Sequence, residues 1–239
     1  MTVKRCALVT GASGGLGREI AISLAGSAGT VMIHYFRDRK GAEETARRVR
    51  KAGADCTILQ ADLSIEEEAR GLVVAAGKIN GRLDILVNNV GPILFKRWDR
   101  LSAADWEGLF RTNLLGAYFC LAAALPGMRA RKFGRIINLG FGRVEQTAAF
   151  PTILPYAVAK TGLLLLTRTA AAECRGTNIT VNMVSPGLLE GGILPAGANA
   201  PPSSLGAFAD VSAAVRFLVS AESRRITGTN ILVAGTWKM

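Results

Sequence analysis

The chain has 239 residues, 49% of them hydrophobic and 20% charged, enough for one large α/β domain that buries about three quarters of its unfolded surface. That balance excludes a disordered chain. No apolar run approaches the ~20 residues of a membrane span and MTVKRCALVT lacks a signal-peptide core, so the expected location is cytoplasmic. A formal charge of +11 calls for an anionic partner: a nucleotide cofactor, an acidic carrier protein, a nucleic acid or an acidic surface.

CALVT (6–10) is a first strand, and TGASGGLG (10–17) follows directly, ahead of a helical pattern over 16–28. Glycines permit a tight turn and close backbone approach to a pyrophosphate, and the helix start offers free amides and a positive dipole end. Gly11, Ser13, Gly15, Leu16 and Gly17 are therefore candidate dinucleotide contacts. The second strand, TVMIHY (30–35), holds the only histidine, His34, expected to be structural. Having one histidine removes most metal and Ser-His-Asp chemistry. Phe36-Arg37-Asp38-Arg39-Lys40 comes next. No carboxylate ends the strand proper and three cations lie close by, which predicts NADP, with Arg37 as ligand of the 2′-phosphate.

Further along, strands are expected at CTILQ (56–60), LDILVN (83–88), RIINL (135–139), ITVNMV (179–184) and NILVA (230–234). Helical spacing covers 40–52, 65–79, 102–125, 153–175 and 207–221. Seven strands alternating with helices predict a parallel sheet covered on both faces. Two basic stretches, RRVRK (47–51) and RARKFGR (129–135), are expected to be solvated helix faces or helix ends. Cys6, Cys56, Cys120 and Cys174 form no CxxC pair and are expected to be reduced packing residues. Leu163 to Leu166 project all the way round a helix, which predicts self-association through a second apolar partner. The stretch 188–210, rich in glycine, alanine and proline, is a candidate lid or a plain connector.

Tyr156 and Lys160, four apart on the helix at 153–175, share a face, and a phenol beside an ammonium is a proton donor. With TGASGGLG, Asp62-Leu63, NNVG (88–91), Asn113 in NLLG, YAVAK (156–160) and SPG (185–187) in this order, the sequence resembles the short-chain dehydrogenase/reductases across nearly its whole length. Within that family it is similar to the bacterial 3-oxoacyl-acyl carrier protein reductases. The resemblance implies a single three-layer Rossmann fold over residues 1–239, α/β with a seven-stranded, mostly parallel, doubly wound sheet. It implies that Tyr156 donates a proton to a substrate carbonyl, that Lys160 binds the nicotinamide ribose and lowers the phenol's pKa, and that Asn113 supports a water in the relay. Asp62 and Leu63 would meet the adenine, Asn89, Val90 and Gly91 the adenosine ribose, and Pro186, Gly187 and Leu189 the nicotinamide.

The sequence departs from the family at the serine that holds the substrate carbonyl. Phe141 stands there, and Thr147 and Thr152, the only candidate replacements, are at other offsets. Losing one preorganised donor costs about 100- to 1,000-fold, so activity falls without vanishing. Phe141 instead suggests an apolar or stacking wall for a flat substrate. Three smaller departures are Gly14 in place of a basic residue, Gly191 in place of a threonine, and VAGTW (233–237) in place of VDGG.

The function expected is NADPH-dependent reduction of a ketone, foremost a 3-oxoacyl thioester, with Arg129 to Arg135 receiving an acidic carrier. Reduction of a pterin-like heterocycle, or dinucleotide binding with little catalysis, are the alternatives. No nucleic-acid recognition element accompanies the charge, no membrane contact is expected, and a homo-oligomer, dimer or tetramer, is.

Overall fold

The computed structural model describes residues 4–193 and 204–235. Its parallel strands are β1 (Cys6–Val9), β2 (Thr30–Tyr35), β3 (Asp55–Gln60), β4 (Ile85–Asn88), β5 (Gly134–Leu139), β6 (Ile179–Pro186) and β7 (Asn230–Val233). They form one sheet in the order β3-β2-β1-β4-β5-β6-β7, with every pairing parallel. The order reverses between β1 and β4, so a crevice opens there beyond the carboxyl ends of the strands.

The strands are apolar along both faces because both are covered. In β1, Ala7 and Val9 enter one core, with Ile20, Leu24, Val215 and Leu218 of α1 (Gly15–Leu24) and α7 (Phe208–Val219). Cys6 and Leu8 alternate into the other. That core includes Leu72 and Val73 of α3 (Glu66–Ile79), Phe119 and Met128 of α5 (Gly116–Arg131), and Ala170 of α6 (Leu154–Glu173). The remaining helices are α2 (Arg39–Lys51) and α4 (Ala103–Phe110), the latter joined to α5 by a π-helical segment, Arg111–Leu115. All four cysteines are buried and unpaired.

The structure differs from the sequence reading in two places. Ala103–Arg131 forms one helical run that is long and apolar enough to cross a membrane, where the apolar pattern had read as broken. Its buried residues, Phe119, Cys120, Leu121, Ala124 and Met128, are shared with α3 and the sheet, as expected of a helix in the layer of an α/β sandwich. Arg135, expected to be solvated, is 1% exposed. It donates to the carbonyls of Gly134 (2.8 Å) and Asn178 (2.9 Å), and its guanidinium lies 4.6 Å from the ring of Phe133. The strand's inward alternation at that position overrides the charge. Among the four leucines, Leu163 and Leu164 are buried, whereas Leu165 is 60% exposed and faces outward with Val158, seven residues earlier.

Candidate active site

The glycine-rich turn is fixed by hydrogen bonds from two neighbouring segments, the end of β4 and β2. Asn89 Nδ2 donates to the carbonyls of Thr10 (3.0 Å) and Gly11 (3.1 Å), and the Thr10 hydroxyl accepts from the Asn89 amide at 2.9 Å. His34 Nδ1 accepts from the Gly11 amide at 3.0 Å, so its Nε2 carries the proton and donates to the Ala61 carbonyl at 3.0 Å. Burial lowers the His34 pKa; the Ala61 carbonyl and the charge of Asp62 oppose the shift. A Cβ on Gly17 would lie 2.3 Å from the Gly11 carbonyl oxygen, so only glycine lets α1 start this close to the turn. No side chain caps α1, which leaves its first amides for an anion.

A cavity of about 600 Å³ opens beside the turn, lined by Gly11, Ser13, His34, Arg37, Asp62, Leu63 and Asn89 to Gly91 among others. Arg37 is exposed, its guanidinium 4.7 Å from the ring of Phe36. Asp38 is occupied as the cap of α2, accepting from the Gly41 amide at 2.9 Å. Asp62 accepts from the amide (2.9 Å) and hydroxyl (2.7 Å) of Ser64, which fixes its carboxylate at the rim. Arg18, one helical turn after Gly14, has its Nη2 4.0 Å from where a Gly14 Cβ would be, and through it donates to the carbonyls of Ser13 (2.5 Å) and Gly41 (3.3 Å). Arg18 also bonds Thr45 at 2.9 Å.

Next to it, about 340 Å³ is enclosed by Gly14 to Gly17, Asn89, Gly91, Tyr156, Lys160, Pro186 and Leu189 among others. The Lys160 ammonium is 2% exposed, donates to the Leu139 carbonyl at 2.8 Å and lies 5.8 Å from the Tyr156 ring centre. Asn113, in the π-helical segment, donates to the Pro92 carbonyl at 3.0 Å, leaving its buried Oδ1 unpartnered. A Cβ on Gly91 would fall 2.7 Å from Lys160 Nζ and 3.0 Å from Asn113 Oδ1, so these two groups converge over a glycine. Burial pushes Tyr156 above its ordinary value and brings Lys160 down to about 7, because desolvation penalises both charged forms.

Tyr156 also lines a third cavity of about 350 Å³, with Phe141, Arg143, Phe150, Thr152, Pro186 and Gly187 among others. Phe141 stacks edge-on against both Tyr156 and Phe150, with ring centres 5.6 Å apart in each pair. Thr152 reaches this cavity's wall, while Thr147 is exposed and is not part of it. Gly191 has φ +73°, a conformation that would strain a threonine there. Residues 194–203 of the stretch 188–210 lie outside the described residues, as do 236 and 237 of VAGTW. The two ends of the former meet in a bridge between Leu189 and Gly206.

The proposed coenzyme and catalytic positions therefore converge on one crevice. The residues that sequence reasoning passed over are His34, Arg18 and Arg143. A lone histidine in the strand facing the glycine turn was the available signal for the first; nothing in the spacing marked the other two.

A family model described as short chain dehydrogenase matches residues 5–196. Over 98% of both chains the protein is 32% identical to a 3-oxoacyl-[acyl-carrier-protein] reductase of Staphylococcus aureus. It is 34% identical to 3beta-hydroxysteroid dehydrogenase 1 of Eggerthella lenta, over 95% of this chain and 91% of that one. The crystal structure of acetoin dehydrogenase YohF from Salmonella typhimurium superposes with a TM-score of 0.87 at 26% identity, covering 98% of this chain and 96% of that one.

Proposed function

The chain belongs to the short-chain dehydrogenase family, oxidoreductases acting on alcohol and carbonyl groups with a nicotinamide dinucleotide, and on that premise we propose that it reduces a ketone using NADPH. What supports this reading is Tyr156, which lines both the 340 Å³ and the 350 Å³ cavities and so stands between a coenzyme and a substrate. Bound NADPH supplies a hydride to the carbonyl carbon. Tyr156 gives its proton to the carbonyl oxygen, since a phenol is protonated at neutral pH, the form that reduction needs. The Lys160 ammonium, held by the Leu139 carbonyl, steadies the phenolate left behind. The free Oδ1 of Asn113 accepts from a water that returns the proton.

Gly11, Ser13, Gly15, Leu16 and Gly17 would hold the pyrophosphate, Asp62 and Leu63 the adenine, and Asn89, Val90 and Gly91 its ribose. Pro186, Gly187 and Leu189 would hold the nicotinamide, and Tyr156 and Lys160 its ribose. Arg37 meets the 2′-phosphate. The test is coenzyme preference: NADPH should be favoured over NADH, and Arg37→Ala should raise the KM for NADPH about tenfold while leaving NADH within about twofold. A wild-type preference for NADH would overturn the assignment.

For the substrate, the Staphylococcus relative favours a 3-oxoacyl thioester. Of the basic stretch meant to receive an acidic carrier, Arg135 is withdrawn into the fold, which weakens that finer form. The ring contacts of Phe141 favour a second reading, a flat cyclic ketone or pterin-like heterocycle. A second copy covering Val158 and Leu165 gives the homo-oligomer. Binding of NADPH without turnover of any ketone or pterin would leave only the dinucleotide-binding alternative.

A further inference from the structure

We propose that Arg143 binds a carboxylate on the substrate, so that the enzyme acts on a flat apolar ketone with an acid group at the end remote from the carbonyl. The proposal rests on the ketone-reductase reading and specifies its substrate.

Among the described residues in the wall of the 350 Å³ cavity, Arg143 alone carries a formal charge at neutral pH, beside Ile93, Phe95, Phe141, Phe150 and other apolar residues. Its position is fixed. The Val144 amide bonds the Phe141 carbonyl (3.0 Å), the Gln146 amide bonds the Arg143 carbonyl (3.0 Å), and Val144 is buried. The side chain is oriented as well: Nε donates to Gln146 Oε1 at 2.7 Å, and the guanidinium lies 4.9 Å from the centre of the Phe150 ring. Its two terminal nitrogens have no hydrogen-bond or ion-pair partner among the described residues. The neighbouring carboxylate, Glu145, is taken by Arg168 and Asn230.

A cation held by its Nε, with both outer nitrogens free, presents the fork that a carboxylate matches. An apolar wall strengthens that attraction. Phe150 and Phe141 lie in series between Arg143 and Tyr156, each ring touching the next. A ketone seated at Tyr156 therefore lays a flat body across two rings before it reaches the cation. The exposed Phe95 and Ile193 at the same cavity's wall gain cover from such a body.

The test uses a tetralone carboxylate, with the acid on the ring distal to the ketone, against its methyl ester, following NADPH oxidation. The wild type should favour the acid in kcat/KM by tenfold or more. Arg143→Gln should erase that preference through a rise in the acid's KM, leaving the ester within about twofold; loss of a charged hydrogen-bond donor is worth roughly 10- to 150-fold. Arg143→Lys should recover part of the preference, and Gln146→Ala, which frees the Nε anchor, should lose a smaller part. Equal turnover of acid and ester by the wild type overturns the proposal. So does an equal loss on both substrates in Arg143→Gln with an unchanged melting temperature. If neither ketone consumes NADPH, the reductase reading fails for them, and calorimetric binding to the NADP-loaded protein decides Arg143: acid tenfold tighter than ester supports it, equal affinity overturns it.

Discussion

The two halves of the crevice are built from different materials. Around the glycine turn nearly every contact is a hydrogen bond to backbone: Asn89 to Thr10 and Gly11, His34 to Gly11 and Ala61. Around Phe141 the contacts are ring against ring, and no hydroxyl stands where the family places its serine. Backbone hydrogen bonds have narrow distance and angle requirements, and a glycine packed against a carbonyl admits no side chain. Ring packing needs only shape and apolarity, so that half can be recast for another substrate while the other is held to one ligand.

The largest effect should separate chemistry from binding. Tyr156→Phe should lower kcat about 1,000-fold while coenzyme affinity, measured by fluorescence titration, stays within about twofold. Undiminished turnover would remove the phenol from its role. Gly17→Ala should do the reverse, weakening coenzyme binding about 30-fold or more, since its Cβ meets backbone at 2.3 Å. Near-normal affinity there would show that the turn is less rigid than its bonds imply.

A third test concerns stability. Burial brings the folded pKa of Lys160 to about 7 from an exposed lysine's 10.5, so between these values the unfolded chain binds more protons. Its contribution to stability must therefore rise as pH climbs from about 7 towards 10.5. Lys160→Met should remove that slope: in urea unfolding, its advantage over wild type should be greatest at pH 7 or below and shrink by about pH 9.5. A pH-independent difference would contradict the burial argument. The smallest effect belongs to His34, whose Nδ1 must be unprotonated to accept from Gly11. Its lowered pKa means that protonation penalises the folded turn as pH falls below 6.5. Coenzyme affinity should drop a few-fold between about pH 8 and pH 5.5 in the wild type and less in His34→Asn. Identical pH profiles would assign the histidine to packing alone.

Much of this was legible beforehand. The strand at 30–35 and the helical patterns at 40–52 and 65–79 lie within a residue of β2, α2 and α3, because strands buried on both faces and amphipathic helices have distinct apolar periods. The glycines, Asn113, Tyr156 and Lys160 could be placed because their chemistry is tied to motif order. Arg135 could not, since its charge pointed outward while the pleat of β5 turned it in.

By itself the sequence determined the alternation of strands and helices and the position of the glycine turn, since period and residue type act locally along the chain. Tertiary structure decided which groups meet: His34 with Gly11, Asn113 with Lys160 over Gly91, and Arg143 with Phe150 in the wall shared with Tyr156. It also set the burial that raises the Tyr156 phenol in the protein alone, because the cost of removing a phenolate from water depends on what surrounds it in space.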